Sequence, residues 1–246
     1  MIKFFRKIRQ NLLSEGKTGK YLKYAIGEII LVIIGILIAL QLNNVNENRK
    51  ANKQEIKYLK SFKIDLEANV QELERVIKKS DLVKKRANRI LEYERGHIDN
   101  INLTQLDTLI MNISDYTVFL SQDGTIEDVI GSGALRIIKK DSIRQAIASW
   151  NSNLKNMREY EQLSKDGAIQ YLEYLRQNID IYKASNQETI LTEATKQFLF
   201  KDRQFLNKVI QRLMTARTLN HLYKREQPKI EKLISMINNE INYIEK

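Results

Sequence analysis

From Ala25 to Leu42 the chain reads AIGEIILVIIGILIALQL, and from Ile29 to Leu40 no residue has a polar side chain. Counted from Tyr24, the run is 19 residues, about 28 Å of helix at roughly 1.5 Å per residue, close to the ~30 Å hydrocarbon core of a bilayer. A soluble helix needs only one apolar stripe, whereas here Ile, Leu and Val occupy every face. The stretch is therefore predicted to be a transmembrane helix. It fits a cleaved signal peptide poorly, because the preceding segment is 23 residues long and Ala39-Leu40-Gln41 lacks a small-x-small cleavage pattern. An uncleaved signal anchor fits better.

The flanks set the orientation. Residues 1–23 hold Lys3, Arg6, Lys7, Arg9, Lys17, Lys20 and Lys23 against Glu15 alone, whereas residues 43–57 hold Arg49, Lys50, Lys53 and Lys57 against Glu47 and Glu55. By the positive-inside rule the N-terminus stays in the cytoplasm and the rest crosses, which in a bacterium means the periplasm. The expected division is a basic leader, 1–23, a transmembrane helix, 24–42, and an extracytoplasmic helical bundle, 43–246, in the inner membrane.

Within the leader, Ile2, Phe5, Ile8 and Leu12 recur at helical spacing with cations between them. This pattern suits an amphipathic helix on an anionic lipid surface, with Lys3, Phe4, Phe5, Arg6, Lys7 and Arg9 as the membrane-surface residues. Inside the span, Glu28 either snorkels to the interface or meets a partner helix, and Gly35 with Ala39 forms a small-xxx-small pair that permits close helix approach. These three are the candidate partner contacts within the membrane.

The opening MIKFFRKIRQNLLSEGKTGKYLKYAIGEIILVIIGILIALQLNN resembles the leader of a domain-of-unknown-function family of bacterial single-pass membrane proteins, found chiefly in the Bacteroidota. The resemblance is specific over residues 1 to about 47 and looser through GTIEDVIGSGALRIIKKDSIRQAI, Gly124 to Ile147. It implies a cytoplasmic leader, one transmembrane helix and a helical extracytoplasmic domain, and it brings no activity.

Beyond a short polar neck, Asn43 to Asn48, residues Glu47 to Arg95 contain neither Gly nor Pro, and spacings of three and four dominate among the apolar residues from Ile56 to Ile90. One long amphipathic helix is expected, suited to a bundle or a coiled coil and able to pack on its own chain or on a second copy. Gly96-His97 ends it, and a short helix capped near Asn102 follows. The Thr125/Asp128 pair suggests a capping pattern for a helix over Ile126 to Ile138, interrupted by Gly131-Ser132-Gly133. The glycines Gly131 and Gly133 are read as a kink or a close helix contact. Ile143, Ile147, Trp150, Leu154 and Met157 mark a second long helix starting at Asp141 or Ser142, with Gly167 as its weak point. Two more helices are expected near the C-terminus, one over Thr192 to Tyr223 with a break near Lys201-Asp202, and one starting at Pro228. No strand alternation is sustained. The fold class is all-α: one transmembrane helix, then an antiparallel bundle of about four or five main helices.

The 246 residues carry 41 Lys and Arg, 30 Asp and Glu, one proline and no cysteine. Without cysteine there is no disulfide framework, thiolate metal site or cysteine nucleophile. Gly16-Lys17-Thr18 resembles the end of a phosphate-binding loop, but Asn11 stands where its first glycine belongs. Asp123 to Asp128 clusters oxygen ligands without calcium-loop spacing. The only histidines, His97 and His221, are far apart. No catalytic, cofactor or metal site is expected, although Glu161, Asp166, Glu173 and Asp180 fall where a bundle brings carboxylates together. The leading functional expectation is a membrane-anchored interaction or scaffold module binding a protein partner or itself. A sensor-like ligand-binding bundle signalling through a membrane partner comes second. Nucleic acid comes last, because residues 43–246 retain a net charge of +6 interspersed with acids.

Overall fold

The computed structural model of the protein describes residues 18–186 and 188–246. The described residues form helices and connecting segments without strands, an all-α fold. The elements are α1 (Thr18–Glu94), α2 (Leu103–Asn112), α3 (Gly124–Gly131), α4 (Asp141–Ala148), α5 (Trp150–Asn178), α6 (Glu193–Lys201) and α7 (Arg203–Ile244), with 3-10 turns at Ala134–Ile137 and Ile181–Asn186. The chain divides after Glu55 into two compact units.

In the first unit, helix α1 carries the apolar run with its side chains in the open. The large apolar residues from Ile29 to Leu42 keep between 49% and 66% of their surface exposed. This helix is long and apolar enough to cross a membrane. The expected neck, Asn43 to Asn48, is helical, since nothing in it breaks the backbone ladder. Lys3, Phe4, Phe5, Arg6, Lys7 and Arg9 lie outside the described residues.

The second unit is built on three long elements: α1 from Ile56, α5 and α7. One end of the core joins Leu59, Phe62, Leu66, Leu73 and Val76 to Trp150, Leu154 and Met157, and to Leu219, Tyr223, Ile230, Leu233, Ile237 and Ile241. The other joins Ala87, Ile90 and Leu91 to Tyr171, Tyr174 and Leu175, and to Phe205, Val209 and Leu213. The residue order at the two ends makes α7 antiparallel to α1 and α5. The stripe on α1 is thus buried within its own chain, Leu59, Phe62 and Leu73 completely so. The short helices cover the ends: α3 and α4 bring Ile126, Val129, Ile143 and Ile147 to the first, while α2 brings Leu106 and Ile110 to the second.

Several boundaries follow local chemistry. Asn102 caps α2 in a reciprocal box with Gln105, at 2.8 and 3.2 Å. Helix α1 closes with Gly96 at φ +69, where Gly96 N–H donates to the Tyr93 carbonyl at 3.0 Å and His97 N–H to that of Glu92 at 2.9 Å. This is the paired bonding of a Schellman ending, which favours glycine at the left-handed position.

Three expectations are corrected. The seam from Ile143 to Met157 belongs to two helices that meet at Ser149, and the apolar spacing passes through the break because Ile147 and Trp150 stay in the same core. Helix α3 stops at Gly131, and Thr125 provides no cap; its own N–H donates to Asp65 of α1 at 3.0 Å. The C-terminal part divides at Asp202, between α6 and α7, as expected, but α7 runs unbroken through Pro228, so the helix boundary expected there is absent. Tyr223 and Ile230, on either side of that proline, pack in the same core, and this burial outweighs the lost backbone bond.

Candidate functional site

A layer of polar side chains divides the two apolar ends of the core. Ser80 of α1, Glu161 and Ser164 of α5, and Arg212 and Asn220 of α7 are all buried there, with Thr117 from the segment after α2. Arg212 is 1% exposed. Its Nε donates to the Ile113 carbonyl at 2.9 Å, Nη1 to the Ser164 carbonyl at 2.5 Å and hydroxyl at 3.2 Å, and Nη2 to the Asp115 carbonyl at 2.5 Å. Burial pulls its pKa down to about 10, with Tyr171 and Asp115 acting the other way. Gly167 faces this arrangement: a Cβ built there would lie in ordinary contact, 3.7 Å from Arg212 Nη1 and 3.4 Å from the Gln211 amide nitrogen.

The same layer holds the irregular segment from Ile113 to Asp123. Lacking a strand partner, its backbone groups bond to side chains from the long helices. The Tyr223 hydroxyl oxygen lies 3.4 Å from the Thr117 carbonyl, Arg75 donates to that of Val118 at 3.2 Å, and Phe119 N–H donates to Glu161 at 2.8 Å. Leu120 N–H donates to Glu72 at 3.2 Å. Asn69 binds both groups of Gln122, accepting at 2.7 Å and donating at 2.8 Å. Asn220 similarly donates to the Ile77 carbonyl at 3.0 Å and to the Ser80 hydroxyl at 3.1 Å.

Glu161 is the most buried carboxylate of this layer, and Tyr223 O–H donates to its Oε1 at 2.8 Å. Desolvation raises the Glu161 pKa despite the bonds from Phe119 and Tyr223, and burial with the adjacent carboxylate raises that of Tyr223. Glu72 moves the opposite way, lowered chiefly by its hydrogen bond with Arg75. A cleft of about 580 Å³ borders Glu161, with Arg158, Gln162 and Lys165 on its α5 side. Of the other expected carboxylates, Asp166 accepts from Gln162 at 2.8 Å on the exposed face. Glu173 and Asp180 are exposed as well, so the structure does not gather the four.

A larger cleft, about 980 Å³, lies where the end of α1 and the turn after it face α7. Lys84, Lys85 and Arg89 come from α1, Arg217 from α7 and His97 from the turn, with Glu92 and Asp99 as the acids. No group of three His, Asp or Glu side chains able to hold a metal occurs among the described residues.

The residues singled out from sequence are dispersed. Gly35 and Ala39 are exposed on α1, and Glu28 is half-buried one turn into the apolar run. Gly131 is the last residue of α3, and Gly133, at φ +70, immediately precedes the following 3-10 turn. A Cβ at either glycine meets nothing within 4 Å, so the pair ends and reverses a helix rather than forming a close contact. His97 lines the larger cleft, and His221 is exposed on α7. Sequence reasoning missed Arg212. Its signal is nonetheless present, a cation on the seam formed by Phe205, Val209, Ala216 and Leu219 at helical spacing.

Fold and site together define an all-α protein with one helix long and apolar enough to cross a membrane and a helical body divided by a buried polar layer. The chain belongs to the family of unknown function DUF6090, whose model matches residues 28–173. No curated protein and no solved structure matches it.

Proposed function

We propose that the chain is a single-pass protein of the bacterial inner membrane, with residues 1–23 in the cytoplasm, 24–42 spanning and 43–246 forming an extracytoplasmic module. The module binds a protein partner or a second copy and needs no catalytic residue. The observation that carries the reading is the exposure of every large apolar side chain from Ile29 to Leu42. Each costs about 1.5–3 kcal/mol in water relative to burial, and a bilayer removes that cost for all of them at once. The interaction role is supported by Ile210 and Met214, one turn apart on α7 and exposed, and by a core whose polar groups are occupied in holding backbone.

The test introduces Lys155→Cys, at an exposed position of a chain with no cysteine of its own. A membrane-impermeant thiol reagent is expected to label it in intact cells, and the protein to sediment with membranes. Labelling only after lysis would refute the orientation, and recovery in the soluble fraction would refute the anchor.

A further inference from the structure

We infer that the cleft between the end of α1, the turn from His97 to Ile101 and α7 is a binding site for a small organic anion, an oxyanion head on an apolar body. This inference concerns the second unit alone and holds on either side of a membrane.

Charge comes first. Lys84 and Lys85 both pair with Asp81, at 2.6 and 2.8 Å, and Glu92 accepts from Asn88 at 2.7 Å. Arg89 and Arg217 make no ion pair or side-chain hydrogen bond among the described residues, and both line the cleft. They come from two antiparallel helices, so the cleft presents two unsatisfied planar forks from opposite walls. A guanidinium fork matches the paired oxygens of a carboxylate or phosphate, and a lining with more cations than acids attracts an anion.

The floor and the rim narrow the ligand. Buried Leu213 and Ile101, with half-buried Ile98, give the cleft an apolar side that a bare inorganic ion leaves unused. Glu92 and Asp99 stand among the cations and disfavour a polyanion such as a nucleic-acid backbone. A volume of about 980 Å³ is that of a small-molecule site. The wall is also preformed, because the Schellman ending at Gly96 fixes the direction in which the turn leaves α1.

The test titrates the full chain, in a non-ionic detergent at physiological salt, with phenyl phosphate, benzoate and inorganic phosphate by calorimetry. Phenyl phosphate and benzoate are expected to bind saturably, and inorganic phosphate at least tenfold more weakly. Arg89→Gln/Arg217→Gln is expected to lose at least tenfold in affinity, about the worth of one charge-assisted hydrogen bond. Its helical circular dichroism and melting should stay unchanged, since both side chains are exposed. Arg89→Lys keeps the charge and removes the fork, and should fall between the two. Absence of saturable binding to the unmodified chain, or undiminished binding by the double variant, overturns the site. Inorganic phosphate binding as tightly as phenyl phosphate overturns the organic body.

Discussion

Replacing Arg212 by methionine tests the central claim about the polar layer. The side chain is 1% exposed and gives its hydrogen bonds to Ile113, Asp115 and Ser164. Methionine fills similar volume and donates nothing. The Ser164 carbonyl can keep its intrahelical partner, but those of Ile113 and Asp115 sit in an irregular segment. A buried unsatisfied acceptor costs about 1–3 kcal/mol, and each hydrogen bond from a charged donor contributes about 1.5–3 kcal/mol. Against this stands the relief of no longer burying a cation. The fall from 12.5 to about 10 corresponds to roughly 3 kcal/mol at ~1.36 kcal/mol per tenfold. With several such bonds lost and one desolvation recovered, Arg212→Met is expected to destabilise the protein by about 3–5 kcal/mol. Urea unfolding followed by circular dichroism measures it, with protease cleavage between Ile113 and Asp123 as a local readout. Arg212→Lys, which keeps the charge but reaches fewer carbonyls, should recover only part of the loss. A methionine variant within about 1 kcal/mol of the parent, with the segment still protected, would refute the reasoning.

Three other outcomes are expected. Glu161 has a folded-state pKa raised above 4.5, so the native state holds the proton more tightly than the unfolded chain. Stability should therefore decline as pH rises from about the unfolded value to the folded one and then level off; Glu161→Gln, which still accepts from Phe119 and Tyr223, should flatten that decline, whereas Glu161→Leu should cost about 2–4 kcal/mol at neutral pH. Pro228→Ala restores an N–H inside α7 at an exposed position, and a rise in urea midpoint equivalent to about 1–3 kcal/mol should follow. At Gly96, φ +69 strains any residue with a Cβ, so Gly96→Ala should lower the melting temperature by the equivalent of about 1 kcal/mol.

Much of the fold was legible because burial follows helical period. Ile143, Ile147, Trp150, Leu154 and Met157 are all buried as their spacing requires, and the α1 stripe from Leu59 to Ile90 lies along one core. Periodicity does not say where one helix becomes two. The apolar spacing continues across the break at Ser149, and the continuity at Pro228 rests on packing of residues distant in the chain. The polar layer was less legible. Arg212, Glu161 and Tyr223 look like surface and core residues in turn, and their common task emerges only once a segment 42 to 106 positions away in sequence is threaded between them. The larger cleft joins residues from Lys84 to Arg217, and no local pattern announces that meeting.

The segment from Ile113 to Asp123 bears on how the molecule assembles in time. Its backbone partners lie on α1, α5 and α7, so it gains almost nothing until those helices have docked and the entropy of closing long loops has been met. Its bonds therefore belong to the native state more than to the folding barrier. Removing one should accelerate unfolding and leave the refolding rate nearly unchanged. The buried arginine then acts as a latch on an already assembled bundle, setting the lifetime of the native form rather than the speed of reaching it.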